Sequence, residues 1–168
     1  MADKGTASIS ASVLSDISKM SIGSTMSYEP ADSGDKWVYT ERILNNASEP
    51  LLPTSQPYID QYTNTGAQTT VASADRYRFL VVKNTGTTNG STATTEGVVI
   101  SLDGDQAAHG EAEGIFIDAG DTWVSKFPVT TQADVYAITV AVTSGAPSGA
   151  AGTDGVLCII AAIMDDDS

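Results

Sequence analysis

The chain has 168 residues, of which 41% are hydrophobic and 17% are charged, and this suits one domain with a hydrophobic core. Its 21 acidic residues outnumber its 8 basic residues, for a formal net charge of −13. Such an acidic surface repels phosphate backbones and anionic membranes, so we expect no binding to nucleic acid or to a membrane. The same repulsion keeps free subunits apart until a stronger contact joins them.

Residues 1–29 are predicted to form an N-terminal arm that docks on a partner, ahead of a single β-sandwich domain over residues 30–168. The arm is rich in Ser, Thr and Ala, and two interpretations of it stay open. The alternation of Ala7-Ser8-Ile9-Ser10 suits a strand. A short helix is the alternative, because four apolar residues have the spacing of one helix face: Val13, Leu14, Ile17 and Met20.

Runs of β-branched and aromatic residues, separated by turn residues, dominate the chain from Trp37 onward. About eight short strands are predicted, over residues 37–44, 58–62, 77–83, 98–102, 115–117, 122–127, 135–142 and 156–164. The nearly continuous apolar run at 77–83 predicts a central strand covered on both faces. No helical pattern recurs between these runs, so the fold class is all-β: an antiparallel β-sandwich that is jelly-roll-like.

Two segments between these strands are predicted to be loops. Residues 45–57 contain three prolines, which cannot donate to a sheet ladder. Residues 144–155 consist mainly of Gly, Ala, Ser and Pro, which predicts an exposed loop. Asp118-Ala119-Gly120-Asp121, by contrast, has the composition of a tight hairpin turn.

Neither a secretory signal nor a membrane span is predicted. Residues 1–5 lack the charged start and apolar segment of a signal peptide. The longest apolar run, at residues 156–164, is shorter than the ~20 residues that a membrane-spanning helix needs. We therefore expect synthesis in the cytoplasm and no insertion into a membrane.

No catalytic residue and no cofactor are predicted. The single histidine, His109, lies in a polar loop, and the single cysteine, Cys158, lies in an apolar strand where a buried and inert thiol is expected. One His and one Cys do not make a zinc site within one chain. The sequence has no Gly-x-Ser-x-Gly elbow and no Gly-rich phosphate loop, so the chain is not expected to be an enzyme.

Acidic loop residues supply the one weak metal candidate. Asp103, Asp105, Glu111 and Glu113 lie close in sequence and offer the oxygen ligands that calcium prefers. The ordered spacing of an EF-hand loop is absent, so solvated carboxylates are the main interpretation and calcium binding is the alternative.

Four aromatic residues are candidates for an interface: Trp37, Tyr39, Tyr58 and Tyr62. Their positions on predicted strands favour packing in the core or at a protein interface, where aromatic anchors contribute most. The alternative is a carbohydrate-binding β-sandwich module, in which exposed aromatic side chains would grip surface glycans.

The run Arg78-Phe79-Leu80-Val81-Val82-Lys83-Asn84-Thr85-Gly86 is followed by VVISLD at 98–103 and by IFIDAGDTW at 115–123. This order resembles small virion structural proteins of tailed bacteriophages, particularly those infecting marine cyanobacteria. The similarity covers residues 76–127, less than a third of the chain. Its motifs are strands and turns rather than catalytic groups.

The resemblance implies a jelly-roll-like capsid decoration, or cement, protein, made in the host cytoplasm and located in the virion. Decoration proteins of this kind have no catalytic residues. They bind between capsomers, often as trimers, and reinforce the shell. The implied partners are the major capsid protein and further copies of the chain, with a tail, neck or baseplate component as the alternative role.

Overall fold

The computed structural model describes residues 4–13, 20–30, 34–59, 70–104, 107–108 and 114–165. Within these ranges the chain forms eleven β-strands and a single turn of 3₁₀ helix at Gln132–Asp134. The strands are β1 (Gly5–Val13), β2 (Met20–Tyr28), β3 (Asp35–Leu44), β4 (Glu49–Pro50), β5 (Arg76–Asn84), β6 (Gly97–Ser101), β7 (Ile115–Ile117), β8 (Thr122–Thr131), β9 (Tyr136–Thr143), β10 (Ala146–Ala151) and β11 (Val156–Asp165). The predicted all-β class is confirmed.

Two antiparallel sheets pack against each other, which confirms the predicted β-sandwich. The first sheet has the order β3-β11-β5-β8, and the second has the order β10-β9-β6-β7, with β4 also paired to β9. Side chains from both sheets share one core, including Val38, Leu80 and Ile160 from the first sheet and Ile100 and Ala137 from the second. A third, two-stranded sheet consists of β1 and β2 alone. The jelly-roll-like connectivity stays a prediction.

The apolar run of β11 places it in the middle of the first sheet, between β3 and β5. Successive side chains of a strand point to opposite faces. Cys158, Ile160 and Ala162 therefore face the second sheet and are fully buried, as predicted for the Cys158 thiol. Ile159 and Ala161 point the other way and are only half-buried.

The arm is a β-hairpin over the residues that the structure describes. Residues 5–13 and 20–28 pair in unbroken antiparallel register from Gly5–Tyr28 to Val13–Met20, which favours the strand interpretation. Residues 14–19, where the alternative helix would lie, are outside the described residues.

The prediction of a loop over residues 144–155 was wrong for residues 146–151, which form strand β10. Ser144 and Gly145 both have positive φ, 55° and 75°, and make the tight turn that joins β9 to β10. Strand β10 then pairs with the edge of β9, although every residue in it is exposed. Pairing of this kind uses only the backbone, so the small residues of β10 do not reveal it.

Two other predicted segments differ in detail. Glu49 and Pro50, in the predicted loop 45–57, pair with Ala137 and Tyr136 of β9 as the short strand β4. Tyr58 and Ile59, which begin the predicted strand 58–62, are not in a strand, and residues 60–62 lie outside the described residues. The described part of the chain contains no helix long and apolar enough to cross a membrane.

Candidate interaction surface

One side of the first sheet points away from the core, and we refer to it as the outer face. Register and side-chain alternation define it, because the residues paired across β3, β11, β5 and β8 share a face. The outer face includes Asp35, Trp37, Tyr39, Glu41, Ile43, Phe79, Val81, Lys83, Thr122, Val124, Lys126, Leu157, Ile159, Ala161, Ile163 and Asp165.

The base of the arm covers one end of the outer face. A Cβ added to Gly5 would lie 3.2 Å from side-chain atoms of Trp37, Phe79 and Ile163 alike. Phe79 and Ile163 are consequently 1% and 0% exposed, although they point away from the sandwich core. Glycine fits here because a Cβ would make tight contacts with all three side chains, which would each have to shift by a few tenths of an ångström.

Polar contacts hold β2, the other strand of the arm, at the position that is paired with Gly5. The hydroxyl of Tyr28, which pairs with Gly5, donates to Oδ2 of Asp35 over 3.0 Å, and Nζ of Lys126 lies 5.9 Å from the ring centroid. Burial, followed by the hydrogen bond and charge of Asp35, raises the pKa of Tyr28 to about 12, so the phenol remains a donor at neutral pH.

The described part of the arm has one mainly apolar side and one polar side. Gly5, Ala7 and Ile9 alternate onto the apolar side of β1, and their partners on β2 are Tyr28, Met26 and Ser24. The opposite side carries the pairs Thr6–Ser27, Ser8–Thr25 and Ser10–Gly23. The arm is thus an amphipathic ribbon, and its apolar side contacts the outer face at Gly5.

Beyond its base the arm projects into solvent. Ile9 is 48% exposed although it lies on the apolar side, and a Cβ added to Gly23 would meet nothing within 4 Å. Nine strand residues span about 30 Å. An isolated two-stranded hairpin is only marginally stable in water. Ile9 therefore lacks the packing that an apolar side chain on a two-stranded ribbon requires.

The remainder of the outer face is half-buried or exposed and mainly apolar. Tyr39 and Ile43 are 51% and 47% exposed, and Ala161 lies between Tyr39 and Val81 in the strand pairing. A large exposed apolar patch on a soluble protein commonly marks an interaction site. Its two exposed charges, Glu41 and Lys83, have opposite signs and flank Ile159.

The net charge of the chain lies in the part that follows the two strands of the arm. Residues 1–28 contain two acidic and two basic residues, whereas residues 29–168 contain 19 acidic and 6 basic residues, which accounts for the net −13. Neither β1 nor β2 contains a charged residue. An uncharged ribbon can approach an acidic protein without electrostatic repulsion.

The four aromatic candidates occupy different environments. Trp37 and Tyr39 both belong to the outer face, Trp37 beneath the arm and Tyr39 in its exposed part. Tyr58 is 9% exposed, its hydroxyl donates to Asp75, and Nζ of Lys36 lies 5.2 Å from its ring centroid. Tyr58 thus packs within its own chain. Tyr62 lies outside the described residues.

Sequence reasoning did not identify the aliphatic part of the surface. Ile159 and Ala161 alternate with the buried residues Cys158 and Ile160, and such a continuous apolar run is typical of a strand that is buried on both faces. The signal that could have identified it is the absence of any predicted helix that would cover the second face.

Little of the calcium candidate falls on described residues. Asp103 is exposed and accepts a hydrogen bond from the hydroxyl of Ser101 over 2.6 Å. Asp105, Glu111 and Glu113 lie outside the described residues, as does His109. Among the residues that the structure describes, no three His, Cys, Asp or Glu side chains form a potential metal-binding group.

The segments that carry the virion-protein resemblance meet in a turn cluster between the sheets. The backbone N–H of Asn84 donates to Asp121 over 3.0 Å, and the N–H of Gly120 donates back to Asn84 over 3.1 Å. The buried Asn84 side chain donates to the carbonyl oxygens of Glu96 over 3.0 Å and of Ile117 over 3.4 Å. This cluster ties the end of β5 to β6 and β7, which is a structural role.

The Cys158 thiol is unsuited to nucleophilic chemistry at neutral pH. Burial raises its pKa to about 12, and the opposing charge of Arg42, its cross-strand partner on β3, only partly offsets this effect.

Comparison of the chain with protein-family models, with curated protein sequences and with solved structures finds no match.

Proposed function

We propose that this chain is a non-enzymatic virion structural protein, a capsid decoration or cement protein that binds the outer capsid lattice between capsomers and stabilises the shell. The observation that carries the proposal is the mainly apolar, partly exposed outer face, next to a projecting arm whose two strands carry no charged residue. Both features fit a protein that acts by binding to other proteins.

The distribution of charge supports the same role. The acidic body keeps free copies apart in solution, whereas the outer face offers side chains that gain free energy when they are buried. Aromatic and aliphatic anchors such as Tyr39 and Ile43 are the kind of residue that dominates binding energy at interfaces. The resemblance over residues 76–127 supports a virion as the setting.

The proposal predicts that the chain protects shells. Tailed-phage shells that lack it should withstand more heat and osmotic shock when the purified chain is added. Tyr39→Lys places a charge on the exposed outer face and should reduce this protection. Thr143→Lys places the same charge at an exposed strand residue of the other sheet and should leave protection unchanged. A chain that protects no shell would contradict the proposal.

A tail, neck or baseplate component would use the same surface on a different part of the particle. The two roles separate when shells and tails are purified apart and mixed with the chain. Binding to the tail fraction alone would favour this alternative over the decoration role.

A carbohydrate-binding module is the second candidate, because one aromatic side chain is well placed for it. Tyr39 is 51% exposed on a sheet face, and its hydroxyl donates to Oε1 of Glu41 over 3.3 Å. The aromatic ring can stack on a sugar, and the neighbouring carboxylate can accept hydrogen bonds from the sugar hydroxyls. This candidate predicts saturable binding on a glycan array that Tyr39→Ala abolishes.

A further inference from the structure

We infer that the arm of one copy of this chain binds the exposed part of the outer face of a second copy. The occupant of the face is thus an uncharged, amphipathic β-ribbon. This inference rests on the proposed function, in which the chain acts together with further copies of itself: the arm of a neighbouring copy covers Tyr39, and shell binding depends on Tyr39 through that assembly.

The base of the arm indicates which chemistry the face accepts. Gly5 rests on Trp37, Phe79 and Ile163, where a β-ribbon with a small residue already covers the sheet. Two residues further along the same strands lie Tyr39, Val81 and Ala161, of which Tyr39 is 51% exposed and the other two are half-buried. A ribbon of the same kind fits the next row of the face.

The same chain supplies such a ribbon. Ala7 and Ile9 continue the apolar side that begins at Gly5, and Ile9 is 48% exposed. The arm spans about 30 Å, while three spacings of about 4.8 Å across four strands give a sheet width of roughly 14 Å. The arm is therefore long enough to cross the outer face of a partner.

The arm of the same molecule does not cover this area. Its base is fixed by Gly5 and Tyr28 at one end of the outer face, and Tyr39 and Ile43 stay about half exposed. A second copy can supply an arm that is free to bind and whose two strands carry no charged residue. Most other approaches would bring two acidic bodies together, at a cost in electrostatic repulsion.

An arm-to-face contact joins two different surfaces, so each copy can give one arm and receive one. Such contacts close into a ring when the rotation between copies allows it, or into a reciprocal dimer. In either assembly the outer face of the partner packs against the hairpin, and a two-stranded hairpin needs such packing to be stable.

Two variants with one added cysteine each test the contact directly. Ile9→Cys puts a thiol on the arm, and Tyr39→Cys puts one on the face, while the native Cys158 is buried and does not compete. Under mild oxidation, a mixture of the two full-length variants should give a disulfide-linked pair of one copy of each. Thr143→Cys, exposed on the other sheet, should not form a link with Ile9→Cys above background.

Each alternative outcome contradicts the inference. Predominant linkage between two Tyr39→Cys copies would indicate face-to-face packing, and predominant linkage between two Ile9→Cys copies would indicate arm-to-arm packing. Equal linkage of Ile9→Cys with Tyr39→Cys and with Thr143→Cys would indicate random collision.

A complementation experiment gives a readout without cross-linking. Ile9→Lys and Tyr39→Lys should each sediment as smaller species than the wild-type chain, because each loses one half of every contact. Their equimolar mixture should regain dimers, since one variant keeps its face and the other keeps its arm. If the chain binds shells but the mixture gives no dimers, the inference fails and the proposed function stands. If dimers form and shells are not bound, the proposed function fails and the inference stands.

Discussion

Gly5 of the arm lies against Ile163 of β11, so that an added Cβ would be 3.2 Å from Cδ1 of that isoleucine. The two residues are at opposite ends of the sequence, and their contact fixes where the arm leaves the sandwich. It also divides the outer face into a covered end and an exposed end. The proposed role of the chain in assembly depends on this division.

Gly5→Val should loosen the arm without unfolding the sandwich. The larger side chain would press on Trp37, Phe79 and Ile163, and overpacking of this kind costs about 1–3 kcal/mol. The emission of Trp37 should shift to longer wavelength as water reaches it, while the thermal midpoint of the body stays close to that of the wild type. Gly23→Val is the matched control, because nothing lies within 4 Å of an added Cβ there. Equal spectra for the two variants would show that the arm is not packed on the sheet.

Asn84→Asp should destabilise the whole sandwich by about 2–4 kcal/mol. The substitution keeps the side-chain shape but replaces the donor that serves the carbonyl oxygens of Glu96 and Ile117, in a fully buried site. Urea unfolding measures the loss. Asn89→Asp is the control, since its exposed side chain serves only as an acceptor for the N–H groups of Ser91 and Thr92. A loss no larger than that of the control would contradict the structural role of Asn84.

Deletion of residues 1–29 should leave a cooperatively folded sandwich that assembles poorly. The buried core that joins the two sheets lies entirely in the remaining residues, whereas Trp37, Phe79 and Ile163 would lose their cover. Circular dichroism and thermal unfolding of the shortened chain check the first point, and sedimentation checks the second. A shortened chain that is unfolded would indicate that the arm belongs to the core.

Cys158 should make the stability of the protein decline in alkaline solution. The unfolded thiol has a pKa near 9, and burial raises the folded value to about 12, so the folded state holds a proton that the unfolded state releases. The stabilisation is fully present below pH 9 and is lost as the pH rises to about 12. Three pKa units correspond to about 4 kcal/mol.

Cys158→Ala should flatten the fall in unfolding free energy between pH 9 and pH 12, at the expense of a small loss at pH 7 from the missing sulfur. Comparison with the wild type is essential, because burial also raises the pKa values of Tyr28 and Tyr77. Identical pH profiles for the two proteins would mean that the thiol titrates at its ordinary pKa in the folded state.

Much of the sandwich could be predicted from local patterns. The runs that became β5, β8 and β11 combine β-branched or aromatic residues with turn residues at their ends. Strand β10 could not be predicted, because its exposed Ala, Ser and Gly residues pair only through the backbone. The same holds for β4, whose proline lies at the edge of a sheet.

The candidate surface was only partly predictable for a different reason. Trp37 and Tyr39 could be predicted as interface candidates because they are aromatic. The outward direction of Ile159 and Ala161 could not, because it depends on which face of the sheet stays uncovered. That choice is made by contacts between distant parts of the chain, such as Gly5 with Ile163. The residue pattern of a single strand does not show which face of the sheet stays uncovered.

Co-sedimentation with tailed-phage shells that lack this protein tests the proposed function most directly. The purified chain should pellet with the shells in a fixed ratio to the major capsid protein, and Tyr39→Lys should remain largely in the supernatant. Thr143→Lys should pellet like the wild type. A wild-type chain that stays in the supernatant at every concentration would contradict the decoration role.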